Sequence, residues 1–294
     1  MKNLKSIVGI CLSIILLSGC SGKQEKAAKS DEKLQITVGI PPIAFIVKQI
    51  GGEYVDVDVL ISPGQNPHTF EPTPNQVVKL NSSDMFFTVG LPFEDRLGTK
   101  ITNTQKPLIS HADANIPKLP MSSVDSHSTG GLDPHIWLSP FYIKQIAQNI
   151  TAILEAHKPL HAADYRNNLL SFILAIDAVD AQIRSQLEPY RGRTFYVFHP
   201  AFGYFAEAYG LIQAPVELEG KSPSPKQLQT IIEKARAEKI KTIFVQPQFD
   251  PKNAEAIAKA IGGKVVQLDA LDGDLLKNLS NIADRIVESF SETV

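Results

Sequence analysis

The sequence predicts an α/β protein of two lobes, each with a parallel-rich sheet, bridged by one long backbone helix. Short β-rich segments recur along the chain with helical periodicity between them, and strands that alternate with helices form parallel sheets. One helical stripe runs without interruption through the middle of the chain. The 294 residues, 43% of them hydrophobic and 20% charged, are enough for one large domain or two ordinary ones with a proper core.

The folded part is expected to begin at Leu34, where the segment LQITVGI alternates and is rich in β-formers. The strand predictions, taken in order, cover 34–40, 55–61, 85–89, 194–199, 242–246 and 264–268. Helical periodicity predicts helices over 73–81 and 252–261. A further helix is predicted to begin after Ser224, because Ser224, Pro225 and Gln227 occupy the N-cap, first and third positions of a capping box.

The middle of the chain predicts a bridging helix over 159–190. Its apolar residues recur in steps of three and four, with no Pro or Gly between 160 and 187. At 1.5 Å per residue such a helix would be about 40 Å long. It would form a rigid strut between an N-terminal lobe at 34–158 and a C-terminal lobe at 191–294. Two shorter helices that meet at a kink are the alternative.

The first twenty residues predict export. Two lysines precede an apolar run at 7–17 that is too short to span a bilayer, which indicates a signal peptide over 1–20. The run ends in Leu-Ser-Gly-Cys, which resembles the lipobox of bacterial lipoproteins and implies a lipid anchor on Cys20. An ordinary secretory signal is the alternative. The polar segment 21–33 is predicted to be a flexible tether, so we expect an extracytoplasmic protein anchored to the bacterial membrane.

Cysteine usage and charge exclude several classes of function. The other cysteine, Cys11, lies in the segment that would be removed, so the mature chain would have no disulfide and no thiolate metal site. A formal net charge of -2 without a basic patch gives no electrostatic basis for nucleic-acid binding. A metal site would therefore use imidazole and carboxylate groups.

Three of the seven histidines stand in similar settings, beside a proline and an aromatic residue. His68 lies in NPHTFEP, His135 in DPHIWLSP and His199 in FHPAF. His199 ends a predicted strand, His68 follows one by a short loop, and Asp269 directly follows another. Ligands of open α/β sheets bind beyond the carboxyl ends of the strands, so a cleft between two lobes could bring these four residues together. Isolated surface or core histidines are the alternative, since the long spacings form no local motif.

Three imidazoles and one carboxylate would suit tetrahedral Zn²⁺, and four protein ligands would favour carriage of the ion over activation of water. Asp272 and Asp274 lie close to Asp269 and compete for the same role. Asp133 and Glu71 neighbour the histidines and could orient imidazoles, or could equally serve as loop or capping residues. Zinc binding is expected to weaken as the pH falls through the usual imidazole pKa of about 6.5.

The motifs together resemble the solute-binding proteins of zinc and manganese ABC transporters, over almost the entire chain from Leu34 onward. The stretches that carry the resemblance are NPHTFEPTPNQVVKL, VGLPFED, DPHIWLSP, FHPAFGYFAEAYG, EGKSPSPKQL and VVQLDAL. The resemblance implies two α/β lobes with a metal site in the cleft between them. It implies that the metal ligands are His68, His135, His199 and Asp269.

The same resemblance bears on the choice of metal. Manganese-preferring members typically have Glu at the third ligand position, so His199 indicates zinc. Some zinc members complete three histidines with water or another carboxylate, which leaves the role of Asp269 open. Zinc members often carry a long loop rich in His and acidic residues; the corresponding loop here, 111–134, is short and contains only His111 and His127. It could hold a weak auxiliary site or be a plain exposed loop.

The expected function is therefore capture of Zn²⁺ and its delivery to the membrane permease of an ABC transporter, by a monomer that is not an enzyme. A manganese or mixed-metal binding protein, or an adhesin of the same fold, is the alternative. A secreted zinc hydrolase is a second alternative from another class. It would need an open coordination position and a general base, and no HExxH, GxSxG or P-loop motif is present.

Overall fold

A computed structural model describes residues 32–98, 100–101, 106–121, 131–217 and 223–291. The predictions for the signal peptide, for Cys20, for almost all of the tether and for His127 lie outside the described residues. None of the described helices combines the length and the apolar character that a membrane span requires.

Two four-stranded parallel sheets form the framework. The strands of the first sheet are β1 (Leu34–Val38), β2 (Val55–Val59), β3 (Met85–Thr88) and β4 (Leu108–His111), in the order β2-β1-β3-β4. Those of the second are β5 (Thr194–Val197), β6 (Ile212–Pro215), β7 (Thr242–Val245) and β8 (Lys264–Gln267), in the order β6-β5-β7-β8. In both sheets the first strand pairs with the second and with the third, as in doubly wound folds.

Helices follow the strands in the alternation that the sequence predicts. They are α1 (Pro41–Gly51), α2 (Pro74–Ser82), α3 (Pro92–Gly98), α4 (Pro140–His157), α5 (Ala162–Leu187), α6 (Gly203–Tyr209), α7 (Pro225–Ala237), α8 (Lys252–Ile261) and α9 (Leu275–Ser291). Short 3-10 turns lie at Gly52–Tyr54, Ile136–Leu138, Pro159–His161 and Glu188–Tyr190. The capping box predicted at Ser224 is confirmed, with Gln227 N–H donating to the Ser224 side chain.

Strands β4 and β6 were not predicted from the sequence. Both are four-residue edge strands, with β4 reading LISH and β6 reading IQAP. Most of their side chains are exposed or half-buried, so neither segment shows an apolar run. Pro215 is tolerated because one side of an edge strand has no partner that requires its N–H group.

Helix α5 bridges the two sheets. It packs against α1 and α4 of the first half and against α6 and α9 of the second. Asn168 near its start donates a hydrogen bond of 2.9 Å to the Ile50 carbonyl, and Gln186 near its end donates one of 2.6 Å to Asp284. Its 26 residues form one continuous α-helix, so the alternative of two shorter helices is wrong. The two-lobe α/β architecture with a long bridging helix is confirmed.

The larger cluster of buried apolar side chains is continuous from Leu34 in β1 to Phe290 in α9. A second cluster lies between the second sheet and helices α7 and α8. Because the larger cluster includes residues from both halves, the lobe limits at residues 158 and 191 stay a prediction. The carboxyl ends of β2, β5, β7 and β8 lead into the loops that carry His68, His199, Gln248 and Asp269. These loops are the places where a ligand of an open α/β sheet binds.

Candidate metal centre

The structure brings three of the four predicted ligands together. One potential metal-binding atom from each of His68, His135 and His199 lies within 4.8 Å of the others. The Nε2 atoms of His68 and His199 are 3.2 Å apart. The three rings line a cavity of about 20 Å³, which has room for roughly one water-sized particle. Among the described residues, this is where several potential ligands converge on a space of ionic size.

His199 is held from three sides. It follows β5, and its Nδ1 lies 2.5 Å from Oε1 of the buried Glu217. The Gln246 amide bridges its backbone, accepting from the His199 N–H at 3.2 Å and donating to the His199 carbonyl at 2.6 Å. The Phe249 ring stacks on the imidazole with centroids 4.8 Å apart. The ring therefore has one orientation, in which Nε2 points into the cavity.

His135 is fixed by the residue two positions before it. One oxygen of the buried Asp133 accepts from the His135 backbone N–H at 2.9 Å and lies 2.7 Å from the ring Nδ1. This arrangement needs space beside α6: a Cβ atom on Gly203 would lie 2.9 Å from the other Asp133 oxygen. A larger residue at position 203 would therefore push Asp133 away from the imidazole.

Trp137, whose ring centroid lies 5.2 Å from that of His135, ties the two halves of the site together. Its indole N–H donates to the Ala270 carbonyl at 2.7 Å, in the loop after β8. The Tyr204 hydroxyl of α6 makes a similar connection, donating to the Asp133 carbonyl at 2.8 Å. Both hydrogen bonds join residues that lie far apart in sequence, so they hold the two sides of the cleft together beside the histidines.

His68 is the peripheral member of the cluster. Its loop is a series of turns, and its backbone N–H donates to the Asn66 side chain at 2.8 Å. The residue as a whole is exposed, whereas its Nε2 faces the other two rings inside the cavity. His68 therefore forms part of the rim, and the buried His135 and His199 form the floor.

The electrostatic environment favours neutral imidazoles. Burial, together with repulsion from His199 and His135, lowers the pKa of His68 to about 4. Burial also lowers the pKa of His199, against the opposing influence of the Glu217 carboxylate. A neutral imidazole keeps a lone pair for a metal ion, whereas an imidazolium does not.

The hydrogen bonds also determine which nitrogen carries that lone pair. A carboxylate can only accept, so Nδ1 of His135 and of His199 must donate to Asp133 and Glu217. Their Nε2 atoms are then free to bind an ion. In a tetrahedral site with Zn–N bonds near 2.05 Å, neighbouring nitrogens are about 3.3 Å apart. The 3.2 Å separation of the His68 and His199 Nε2 atoms is close to this value.

Asp269, the fourth predicted ligand, is not in the cluster. Its Oδ1 accepts from the Gln248 side chain and from the Leu271 backbone, both at 2.9 Å. Asp269 lines two neighbouring cavities, whereas the cavity of the three histidines is lined by Gln248 and Leu271. Asp272, the nearby alternative, lines one of these neighbouring cavities and not that of the histidines. Gln248 thus lies between Asp269 and the histidines.

Of the two acidic residues considered as orienting groups, Asp133 has that role and Glu71 does not. Glu71 is exposed and pairs with Lys100 at 3.0 Å. His111 hydrogen-bonds Thr88 at 2.9 Å through Nδ1 and is not part of the cluster.

Sequence reasoning missed the roles of Glu217, Gln246 and Gln248. Glu217 follows β6, and Gln246 and Gln248 follow β7. A prediction of β6 beside β5 would have placed Glu217 near His199, because carboxyl ends of neighbouring parallel strands lie at the same edge.

Comparison with known proteins finds one family and several relatives that match nearly the whole described chain. The family described as ZnuA, zinc-uptake complex component A periplasmic, matches residues 36–289. The high-affinity zinc uptake system protein ZnuA of Bacillus subtilis (strain 168) is 27% identical over 283 residues, covering 91% of this chain and 88% of the relative. The iron ABC transporter substrate-binding lipoprotein MtsA of Streptococcus pyogenes serotype M1 is 30% identical over 273 residues, covering 89% and 87%. A crystal structure of ZnuA superposes with a TM-score of 0.83 at 34% identity, covering 88% of this chain and 99% of that one.

Proposed function

Because this chain belongs to the ZnuA family of periplasmic zinc-uptake components, matched over residues 36–289, we propose that it captures Zn²⁺ outside the cytoplasm and delivers it to an ABC-transporter permease. The family expected from the motifs is confirmed. The relatives that match it are substrate-binding components of uptake systems and not enzymes, so the hydrolase alternative is set aside. The protein is a metal-binding component of this type, and the proposal concerns its metal, its site and its anchor.

The observation that supports a metal cargo is the convergence of three imidazoles on one small cavity. His68, His135 and His199 are the ligands, each presenting one nitrogen to a space of about 20 Å³. Two of the imidazoles are oriented by buried carboxylates, as in zinc sites where the outer partner fixes the tautomer of the ligand. An ion held here would be largely enclosed, which suits carriage.

Zinc is favoured over manganese by the chemistry of these ligands. Imidazole suits Zn²⁺, whereas carboxylate, carbonyl and water suit Mn²⁺. The relative MtsA is named for iron and the relative ZnuA for zinc, so the family contains proteins for different metals. A mixed-metal binding protein of the same fold is the competing proposal. Asp269 completes the site only if its carboxylate moves toward the histidines from its present position, where Oδ1 accepts from Gln248 and Leu271.

The proposed setting follows from the N-terminal motif. We place the protein outside the cytoplasm, tethered through a lipid on Cys20 after removal of residues 1–19, and working as a monomer. MtsA is itself named a lipoprotein. A lipid tether would keep the metal-binding part beside the permease that receives the ion.

Native mass spectrometry of the full chain tests the proposal. The protein is purified in mild detergent, stripped of metal and offered equal Zn²⁺ and Mn²⁺, beside the variant His199→Ala. One zinc ion retained by the wild type and lost from the variant is expected. Retention of manganese in preference would overturn the choice of metal, and no retention of either would overturn the site. The variant Glu233→Gln, an exposed position on α7, controls for handling.

A further inference from the structure

Gln248 is the polar side chain of the C-terminal half that lies between the three histidines and Asp269. It lines the histidine cavity together with Phe249 and Leu271. Its Nε2 donates to Asp269 Oδ1 at 2.9 Å. A carboxylate has no proton to give, so the atom that faces Asp269 must be the amide nitrogen. The amide oxygen of Gln248 is then the end of the amide that Asp269 does not use.

The hydrogen bond to Asp269 repeats a pattern seen twice in the same cavity. His135 donates its outer nitrogen to Asp133, and His199 donates its outer nitrogen to Glu217. Gln248 donates its outer nitrogen to Asp269 in the same way. In metal sites, such outer carboxylates orient the ligands and make them better donors. The pattern indicates that Gln248 is held as a ligand is held.

The other described side chains that line the cavity offer no comparable oxygen. The Gln246 amide is used at both ends by the His199 backbone. The Ala270 carbonyl accepts from the Trp137 indole. The remaining lining side chains are apolar: Pro67, Leu91, Trp137, Ala201, Phe249, Ala270 and Leu271. Gln248 is therefore the best placed of the described side chains to add an oxygen to the three nitrogens.

We propose that the Gln248 amide oxygen is the fourth protein ligand and that Asp269 is a positioning residue that acts through Gln248. This inference rests on the proposed binding of a metal ion by the three histidines. It gives an N3O set with a neutral oxygen donor, and it places the carboxylates of Asp133, Glu217 and Asp269 outside the coordination sphere. It replaces the direct role that the resemblance assigns to Asp269.

Zinc affinity of the full chain in mild detergent, measured by competition with a chromophoric chelator, separates the two roles. Gln248→Ala is expected to weaken zinc binding at least about 10-fold, the scale on which loss of a metal-site group is felt. Asp269→Asn is expected to stay within roughly threefold of wild type, because Asn still offers an oxygen to Gln248 and Leu271. Gln267→Ala, at the exposed end of β8, should change nothing.

A spectroscopic readout addresses coordination directly. In a ¹⁵N correlation spectrum, the side-chain NH₂ pair that is missing from Gln248→Ala should shift when zinc is added to the wild type. Wild-type affinity in Gln248→Ala, together with a large loss in Asp269→Asn, would make Asp269 the ligand and overturn the inference. An unmoved Gln248 resonance would also overturn it. A wild type that binds no zinc would overturn the proposed function as well, which distinguishes the two failures.

Discussion

Glu217 Oε1 lies 2.5 Å from Nδ1 of His199, and both side chains are buried. The pair joins the end of β5 to the residues after β6, and it fixes the tautomer that leaves the His199 Nε2 lone pair free. The carboxylate also supplies negative charge next to the proposed cation. Its role in metal binding is therefore separate from that of the ligands and can be tested separately.

Glu217→Ala is expected to weaken zinc binding about 10- to 100-fold, the usual cost of removing an outer-shell partner of a ligating histidine. Glu217→Gln should lose less, because its amide oxygen still accepts from His199. Chelator competition at neutral pH measures both. Glu233→Gln is the control on the exposed face of α7. Equal affinities in Glu217→Ala and the wild type would show that Glu217 does not support the site.

The second prediction concerns zinc binding in mild acid. Three imidazoles of ordinary pKa would take up nearly three protons when zinc is released below about pH 6.5. The pKa of His68 is lowered to about 4 and that of His199 is also lowered, so protons compete less at these two positions. We therefore expect fewer than three protons to be taken up for each zinc ion released between about pH 6.5 and 5, as read from the slope of log affinity against pH. A slope near three would contradict the lowered pKa values.

The lowered pKa of His68 also predicts how the folding stability of the metal-free protein depends on pH. The pKa of His68 in the folded chain, about 4, lies below the unfolded value of 6.5. Its contribution to stability is therefore present above 6.5 and is lost as the pH falls through the window from 6.5 to about 4. His68→Asn should lose less stability than the wild type over this window. Urea unfolding in the presence of a chelator measures the free energy of unfolding at each pH, with His111→Asn as the control outside the cluster. If His68→Asn and the wild type lost the same stability over this window, the lowered pKa of His68 would be refuted.

The sequence was sufficient for the histidines because their local motifs are distinctive. His68, His135 and His199 each stand beside a proline, and His68 and His199 also lie at or soon after the end of a predicted strand. Asp133 could be suggested because it is only two residues from His135. Local chain geometry thus made one orienting group accessible to prediction.

The other residues around the histidines could not be predicted from local motifs, because their contacts depend on which strands pair in the sheet. Glu217 is 18 residues from His199 and reaches it only because β6 pairs with β5. The exposed pattern of β6 concealed that strand. Asp269 and Gln248 are 21 residues apart, and their contact depends on the pairing of β7 with β8. The sequence predicted Asp269 at the correct strand end, but it did not show that Gln248 lies between Asp269 and the histidines.

Glu94 provides a final test at a buried group that lies outside the cluster. Its Oε2 accepts from the backbone N–H groups of Val89 and Leu91, each at 2.9 Å, and so fastens the turn whose Leu91 lines the histidine cavity. Its Oε1 is buried without a partner among the described residues. Burial raises the pKa of Glu94 to about 8, against the opposing effect of the backbone N–H groups.

The stabilising contribution of Glu94 should therefore depend on pH in the sense opposite to that of His68. A folded pKa of about 8, above the model-compound value of 4.5, means that the contribution is full below 4.5 and is lost as the pH rises through 8. Glu94→Gln removes this titration and keeps an oxygen for the two N–H groups. Relative to the wild type, it should be more stable at about pH 9 than at about pH 5 in urea unfolding. Glu71→Gln is the control, because the hydrogen bond from Lys100 lowers the pKa of Glu71 below its usual 4.5. Its difference from the wild type should therefore stay constant between about pH 5 and 9. If the difference between Glu94→Gln and the wild type stayed constant with pH, the buried carboxyl would not titrate in this range.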